Sequence, residues 1–118
     1  MPTGKRTHRV GEEFREILAE EIPKLKDPRV GFVTVTSVDV APDLKRALVY
    51  YTVLGEERDR KATRAALRSA SGHLKRVIGR EVRLKFLPEL DFREDASVES
   101  ADRVEQLLMK LKEDNAEA

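Results

Sequence analysis

Guanidinium and ammonium groups crowd the middle of this chain. From Arg58 to Lys85 ten Lys and Arg side chains stand against two acids, Asp59 and Glu81. Arg64, Arg68 and Lys75 fall near one face of a helical pattern. Arg76 and Arg80 follow them on the same pattern, and Arg83 and Lys85 continue the charge into the next segment. Such groups suit a polyanion, because guanidinium offers several donors to phosphate and a flat face to an unpaired base. The net charge of the whole chain is only +1, yet beyond Glu94 acids outnumber bases. The asymmetry makes a dipolar molecule with one face fit for nucleic acid. Solvation of helix faces by the same residues is the plain alternative.

Other chemistries find little here. His8 and His73 are the only histidines, far apart and without a carboxylate or nucleophile to work with. There is no Cys for a thiolate site or a disulfide, and the acidic pairs Glu12-Glu13 and Glu94-Asp95 lack the mixed donors of a buried metal site. No catalysis, cofactor or metal is expected. No apolar run approaches the roughly 20 residues that span a bilayer, and the first ten residues lack the apolar core of a signal peptide. A cytoplasmic protein without membrane attachment is the expectation.

The elements that position the cations follow from periodicity. Ala66, Ala70, Leu74, Val77 and Ile78 give residues 62–78 an apolar helical stripe. Ala70-Ser71-Gly72 interrupts it, since Gly costs about 1 kcal/mol against Ala in a helix interior and permits a bend. The reading is a helix, a kink and a shorter helix capped by Gly79. Ser71 at the bend is either a phosphate donor or simply small. Residues 82–92 then alternate, with Val82, Leu84, Phe86, Pro88, Leu90 and Phe92 on one parity, which predicts a strand with one buried face.

Upstream, Val10, Phe14, Ile17, Leu18 and Ile22 predict an amphipathic helix with Thr7 as its N-cap and an end or bend near Ile22, forced by Pro23. Residues 31–40 are rich in β-branched types, but Val33 and Val35 share one parity and Val38 and Val40 the other, so a bulge near Thr36-Ser37 is required. After a turn at Ala41-Pro42-Asp43, residues 44–54 alternate with Ala47, Val49, Tyr51 and Val53 on one face, completing a hairpin. Phe14, Tyr51, Phe86 and Phe92 are expected in the core, while Phe32 and Tyr50 can face either way. Ser97 caps a last amphipathic helix built on Val98, Val104, Leu107, Leu108 and Leu111. The order α-β-β-α-kink-α-β with a C-terminal helix predicts one α+β domain over residues 1–118, ordered over about 7–111 with flexible ends, of the KH-like type II class.

The segment Asp27-Pro28-Arg29-Val30-Gly31-Phe32-Val33-Thr34-Val35-Thr36 resembles the signature of the bacterial ribosome-binding factor A family. Further landmarks follow in that family's order: Ala41-Pro42-Asp43-Leu44, residues 47–55 (ALVYYTVLG), Ser69-Ala70-Ser71-Gly72, Pro88-Glu89-Leu90 with Phe92, residues 95–99, and Arg103-Val104. The resemblance runs from about Arg9 to Leu111. It implies a non-enzymatic, KH-like assembly factor that binds the small (30S) ribosomal subunit and assists late maturation of 16S rRNA, especially in the cold. It also implies that an Ala-x-Gly kink, here Ala70-Ser71-Gly72, replaces the Gly-x-x-Gly turn that brings KH backbone to RNA.

Together these readings give an RNA-binding set of Arg64, Arg68, Ala70, Ser71, Gly72, Lys75, Arg76, Arg80, Arg83 and Lys85. The expected partners are the 30S subunit and 16S rRNA, with other assembly factors possible, and the free protein is expected to be a monomer. The competing reading is a protein-interaction module that docks a basic partner through its acidic C-terminal helix. A small RNA-processing enzyme is the weakest reading, for want of a catalytic set.

Overall fold

The computed structural model describes residues 4–95. The helix expected over residues 97–111 lies outside them. Helix α1 spans Gly4–Glu21, strand β1 Phe32–Val40, strand β2 Arg46–Leu54, helix α2 Glu57–Glu81 and strand β3 Glu89–Glu94. The three strands form one sheet in the order β1-β2-β3. β1 and β2 are an antiparallel hairpin, whereas β3 returns through α2 to lie parallel to β2.

Both helices cover one face of this sheet. Phe14, Leu18 and Ile22 from the first helical segment meet Val35, Val49 and Tyr51 from the sheet, and Leu67, Leu74 and Ile78 of α2 complete the core. α1 begins at Gly4, ahead of Thr7, so the cap expected at Thr7 is not used. Its end follows the sequence: Pro23 lacks a donor, and the chain passes after Glu21 into a 3₁₀ turn over Ile22–Lys24. Gly11 marks the crossing of α1 over β1, where an added Cβ would sit 2.5 Å from the carbonyl oxygen of Val38. The bulge falls where parity demanded it, because Val35 pairs with Tyr51 and Ser37 with Tyr50, leaving Thr36 as the extra residue.

The break in the long helix does not occur. α2 runs from Glu57 to Glu81 as 25 residues of continuous α-helix, opened by a capping box in which Glu56 and Asp59 each accept from the other's backbone N–H. The apolar stripe explains the continuity. Ala66 and Leu67 before Gly72, and Leu74, Val77 and Ile78 after it, are all buried. Each large side chain gains about 1.5–3 kcal/mol from burial, which outweighs the roughly 1 kcal/mol that one Gly costs. Gly79 is likewise not a left-handed cap. It lies inside α2, where an added Cβ would collide with Leu87, so its missing side chain makes room for the chain that follows.

That following chain corrects a second expectation. Residues 82–88 are a connection, and β3 begins only at Glu89, whose N–H donates to Lys45 O at 2.8 Å. Parity holds for Val82, Leu84, Leu90 and Phe92, which pack against the core, and for Pro88, which is fully buried. It fails for Phe86, which is 49% exposed. Among the described residues no partner strand lies beside residues 82–88, so no ladder makes their side chains alternate between two faces.

Candidate nucleic-acid interface

The outer surface of α2 has two kinds of cation. On the flank toward β3, Arg64 Nη2 lies 3.0 Å from Glu94 Oε1, and Arg60 Nε lies 3.6 Å from the other oxygen of the same carboxylate. Arg60 also holds Glu57 at 2.6 Å, and Lys75 Nζ holds Glu89 at 2.5 Å. The carboxylate of Glu94, helped by the nearby Tyr51 hydroxyl, pushes the Arg64 pKa further up, so this guanidinium stays charged. Burial, then the charge of Glu94, pushes Tyr51 up as well, with Arg64 pulling the other way. The Tyr51 hydroxyl is buried, and its approach to Arg64 falls short of hydrogen-bond geometry.

Arg68, Arg76, Arg80, Arg83 and Lys85 are exposed and form no ion pair with another described residue. Of the ten sequence candidates, these five are the cations left open to an outside anion. Arg64, Arg68 and Ser71 form one wall of a groove of about 130 Å³, and Leu90, Asp91 and Phe92 of β3 form the other. The remaining candidates separate from it. Arg76 and Arg80 lie further along α2, while Arg83 and Lys85 stand on the connection to β3. Ala70 is turned partly into the core, and Gly72 is exposed with only Arg76 Nη1 near, at 3.6 Å from where a Cβ would be. Ser71 already donates its hydroxyl proton to Arg68 O at 3.0 Å, which stitches the helix where a bend was expected.

Two cations escaped the sequence reading. Lys45, at the end of the β1–β2 turn, sits 4.9 Å from the centroid of the Phe86 ring. Arg29 precedes β1, and its guanidinium binds Asp27 at 2.6 Å and donates to Ser69 on α2 at 3.3 Å. The neighbouring Gly31 N–H donates to Thr63 Oγ1 at 3.1 Å, and that hydroxyl reaches Arg29 O at 3.4 Å. The segment that carries the sequence signature is thus clamped onto α2. Only the spacing of Asp27 to Arg29 hinted at this, and the partners on α2 lie more than 30 residues away.

Comparison with known proteins decides the family. The family model described as Ribosome-binding factor A matches residues 6–108. The chain belongs to the ribosome-binding factor A family. A ribosome-binding factor A of Geobacter sulfurreducens is 45% identical over 107 residues, covering 90% of this chain and 91% of the relative. The crystal structure of ribosome-binding factor A from Thermus thermophilus superposes with a TM-score of 0.67 at 33% identity, over 76% of this chain and 97% of that one. A Thermus thermophilus homology model fitted into the cryo-EM map of a 30S–RbfA complex gives a TM-score of 0.64 at 32% identity, over 75% of this chain and 93% of that one. The α+β fold of this ribosome-binding factor A family member is KH-like. Its α2 is one helix where the resemblance implied two.

Proposed function

We propose that this protein is a small-subunit assembly factor that binds the 30S ribosomal subunit and its 16S rRNA in the cytoplasm and assists late maturation of that RNA, including at low temperature. It works by binding, not by catalysis. A relative of the same fold in a 30S complex supports the partner, and membership of the family supports the role.

The observation that carries the reading onto particular residues is the open charge of α2. Arg68, Arg76 and Arg80 are exposed without a carboxylate among the described residues, while their neighbours Arg60, Arg64 and Lys75 are engaged with β3. Arginines in that condition can exchange water and counterions for rRNA phosphates without first breaking an internal pair. Ser71 and Gly72 belong to this interface by position, as small residues that let a strand of RNA approach the helix; Ala70 supports them from the core side. Arg83 and Lys85 extend the contact beyond the helix.

Chemical footprinting of purified 30S subunits with and without the protein tests the proposal. A discrete set of protected 16S nucleotides, lost with an Arg68, Arg76 and Arg80 to Ala variant that still folds, is the expected outcome. Binding of the protein to isolated proteins but not to subunits or rRNA would replace this function with the protein-docking one.

A further inference from the structure

Phe86 is a large aromatic side chain left half-exposed on a folded protein, and what surrounds it is cationic. Lys45 Nζ lies 4.9 Å from the ring centroid and Lys85 Nζ 5.6 Å. A cleft of about 230 Å³ opens beside the ring, bordered also by Arg6, Leu44 and Arg83. Its single acid, Asp43, accepts the backbone N–H of Lys45 at 3.0 Å and so faces back into the turn. Four cations and a flat apolar ring therefore converge, from the start of α1, the β1–β2 turn and the connection after α2.

The walls are fixed. The first rung of the parallel ladder, Glu89 N–H to Lys45 O, ties the connection to the turn. Pro88 and Leu84 anchor the same connection in the core. Across the cleft, Leu44 has φ 61°, the one positive φ at a non-glycine residue among those described. A branched apolar residue held in that region costs on the order of 1–3 kcal/mol, and such strain concentrates where a surface is shaped for binding. An aliphatic ligand would satisfy the ring but not the cations, and a simple anion the cations but not the ring. A nucleotide in a single strand offers both a π-face and a phosphate on each side.

We propose that Phe86 is a stacking platform for an unpaired RNA base, with Lys45, Lys85, Arg83 and Arg6 holding the flanking phosphates. This rests on the RNA-binding function proposed above and adds a second contact, off the helix, that selects single-stranded over duplex RNA. In a duplex the base faces are already stacked and unavailable to the ring.

The chain has no Trp, so Phe86→Trp installs a sole indole reporter at the platform. Titration of that variant with a short single-stranded oligoadenylate should quench its fluorescence to saturation, and inorganic polyphosphate of equal charge should not. Phe86→Ala should weaken oligoadenylate binding roughly 5- to 100-fold with its salt dependence unchanged, since stacking carries no counterion release. Lys45→Ala with Lys85→Ala should instead flatten the salt dependence. Equal quenching by polyphosphate, or Phe86→Ala binding within twofold of wild type, overturns the platform. Loss of subunit binding by Phe86→Ala with oligoadenylate binding intact also overturns it, in favour of a protein contact. If Phe86 variants behave as wild type while the Arg68, Arg76 and Arg80 variant loses subunits, the platform falls and the assembly-factor function stands. If wild type binds neither oligoadenylate nor subunits, both fall.

Discussion

α2 carries two sets of cations that are alike in type and differ in what they can still do. Arg60, Arg64 and Lys75 meet the carboxylates of Glu94 and Glu89 on β3, whereas Arg68, Arg76 and Arg80 meet none among the described residues. Exposed pairs of this kind stabilise a fold by only about 0–1 kcal/mol each. Their larger effect is on charge: a guanidinium next to a carboxylate presents little net field to a phosphate. The number of cations in a stretch therefore overstates the number available, and the difference is set by which of them a distant strand neutralises.

Both sets depend on a stable helix, so the largest effect belongs to the buried side of α2. Leu74 is fully buried, and Leu74→Ala should cost about 2–5 kcal/mol in chemical denaturation. A cost below about 1 kcal/mol would mean that α2 is not held to the sheet through this stripe. The engaged and open cations differ next. Changing Arg68, Arg76 and Arg80 to Ala should flatten the plot of log affinity for rRNA against log salt by about two units, as each lost phosphate contact removes roughly 0.7–0.9. The matched change of Arg60, Arg64 and Lys75 should flatten it by less than about one unit. Equal slopes for the two triples would erase the distinction between engaged and open cations.

Glu94→Gln sharpens the same contrast from the other side. Removing the carboxylate releases Arg60 and Arg64, and the slope should steepen by up to about one unit; no change in filter binding would show that those arginines cannot reach RNA. Gly72→Ala probes the continuity that puts both sets of cations on one helix. Because the new Cβ would find only Arg76 Nη1, at 3.6 Å, the variant should be more stable by about 0.5–1 kcal/mol, whereas a functional bend at this site would make it less stable.

The smallest effect is in acid. Hydrogen bonds from Arg93, then from Arg46, hold the Asp91 carboxyl below its ordinary value of 3.8. The folded protein therefore binds this proton less readily than the unfolded chain. The resulting stability is fully present above pH 3.8 and is lost as pH falls through the lower, folded-state value. Asp91→Asn should remove a small part of the acid-side slope of stability against pH, and an unchanged slope would show that the pairing contributes nothing.

How far the sequence could be read depended on the range of the interaction. The bulge at Thr36 was legible because Val33 and Val35 differ in parity from Val38 and Val40, and only an extra residue between the two pairs lets all four face the core. The end of α1 was legible because Pro23 acts on its own backbone. Gly72 misled, since its local cost is visible in sequence while the burial that outweighs it depends on the sheet beneath both halves of α2. Phe86 misled for a related reason. Alternation is imposed by a neighbouring strand, and β3 has one only from Glu89 onward. Among the site candidates, position on α2 was legible, but not the pairing of Arg64 and Lys75 with acids 30 and 14 residues away.

The extra residue at Thr36 has a consequence beyond register. Among the described residues β1 is an edge strand, and its sequence, FVTVTSVDV, combines strong β-propensity with a single charge. An uninterrupted edge of that composition is a template on which another chain can extend the sheet without limit. The bulge breaks the regular spacing of donors and acceptors along that edge near its middle, and the Thr36 hydroxyl is turned inward, 2.7 Å from Asp95 Oδ2. One residue of the hairpin thus interrupts the regular edge that a further strand would need in order to add to the sheet.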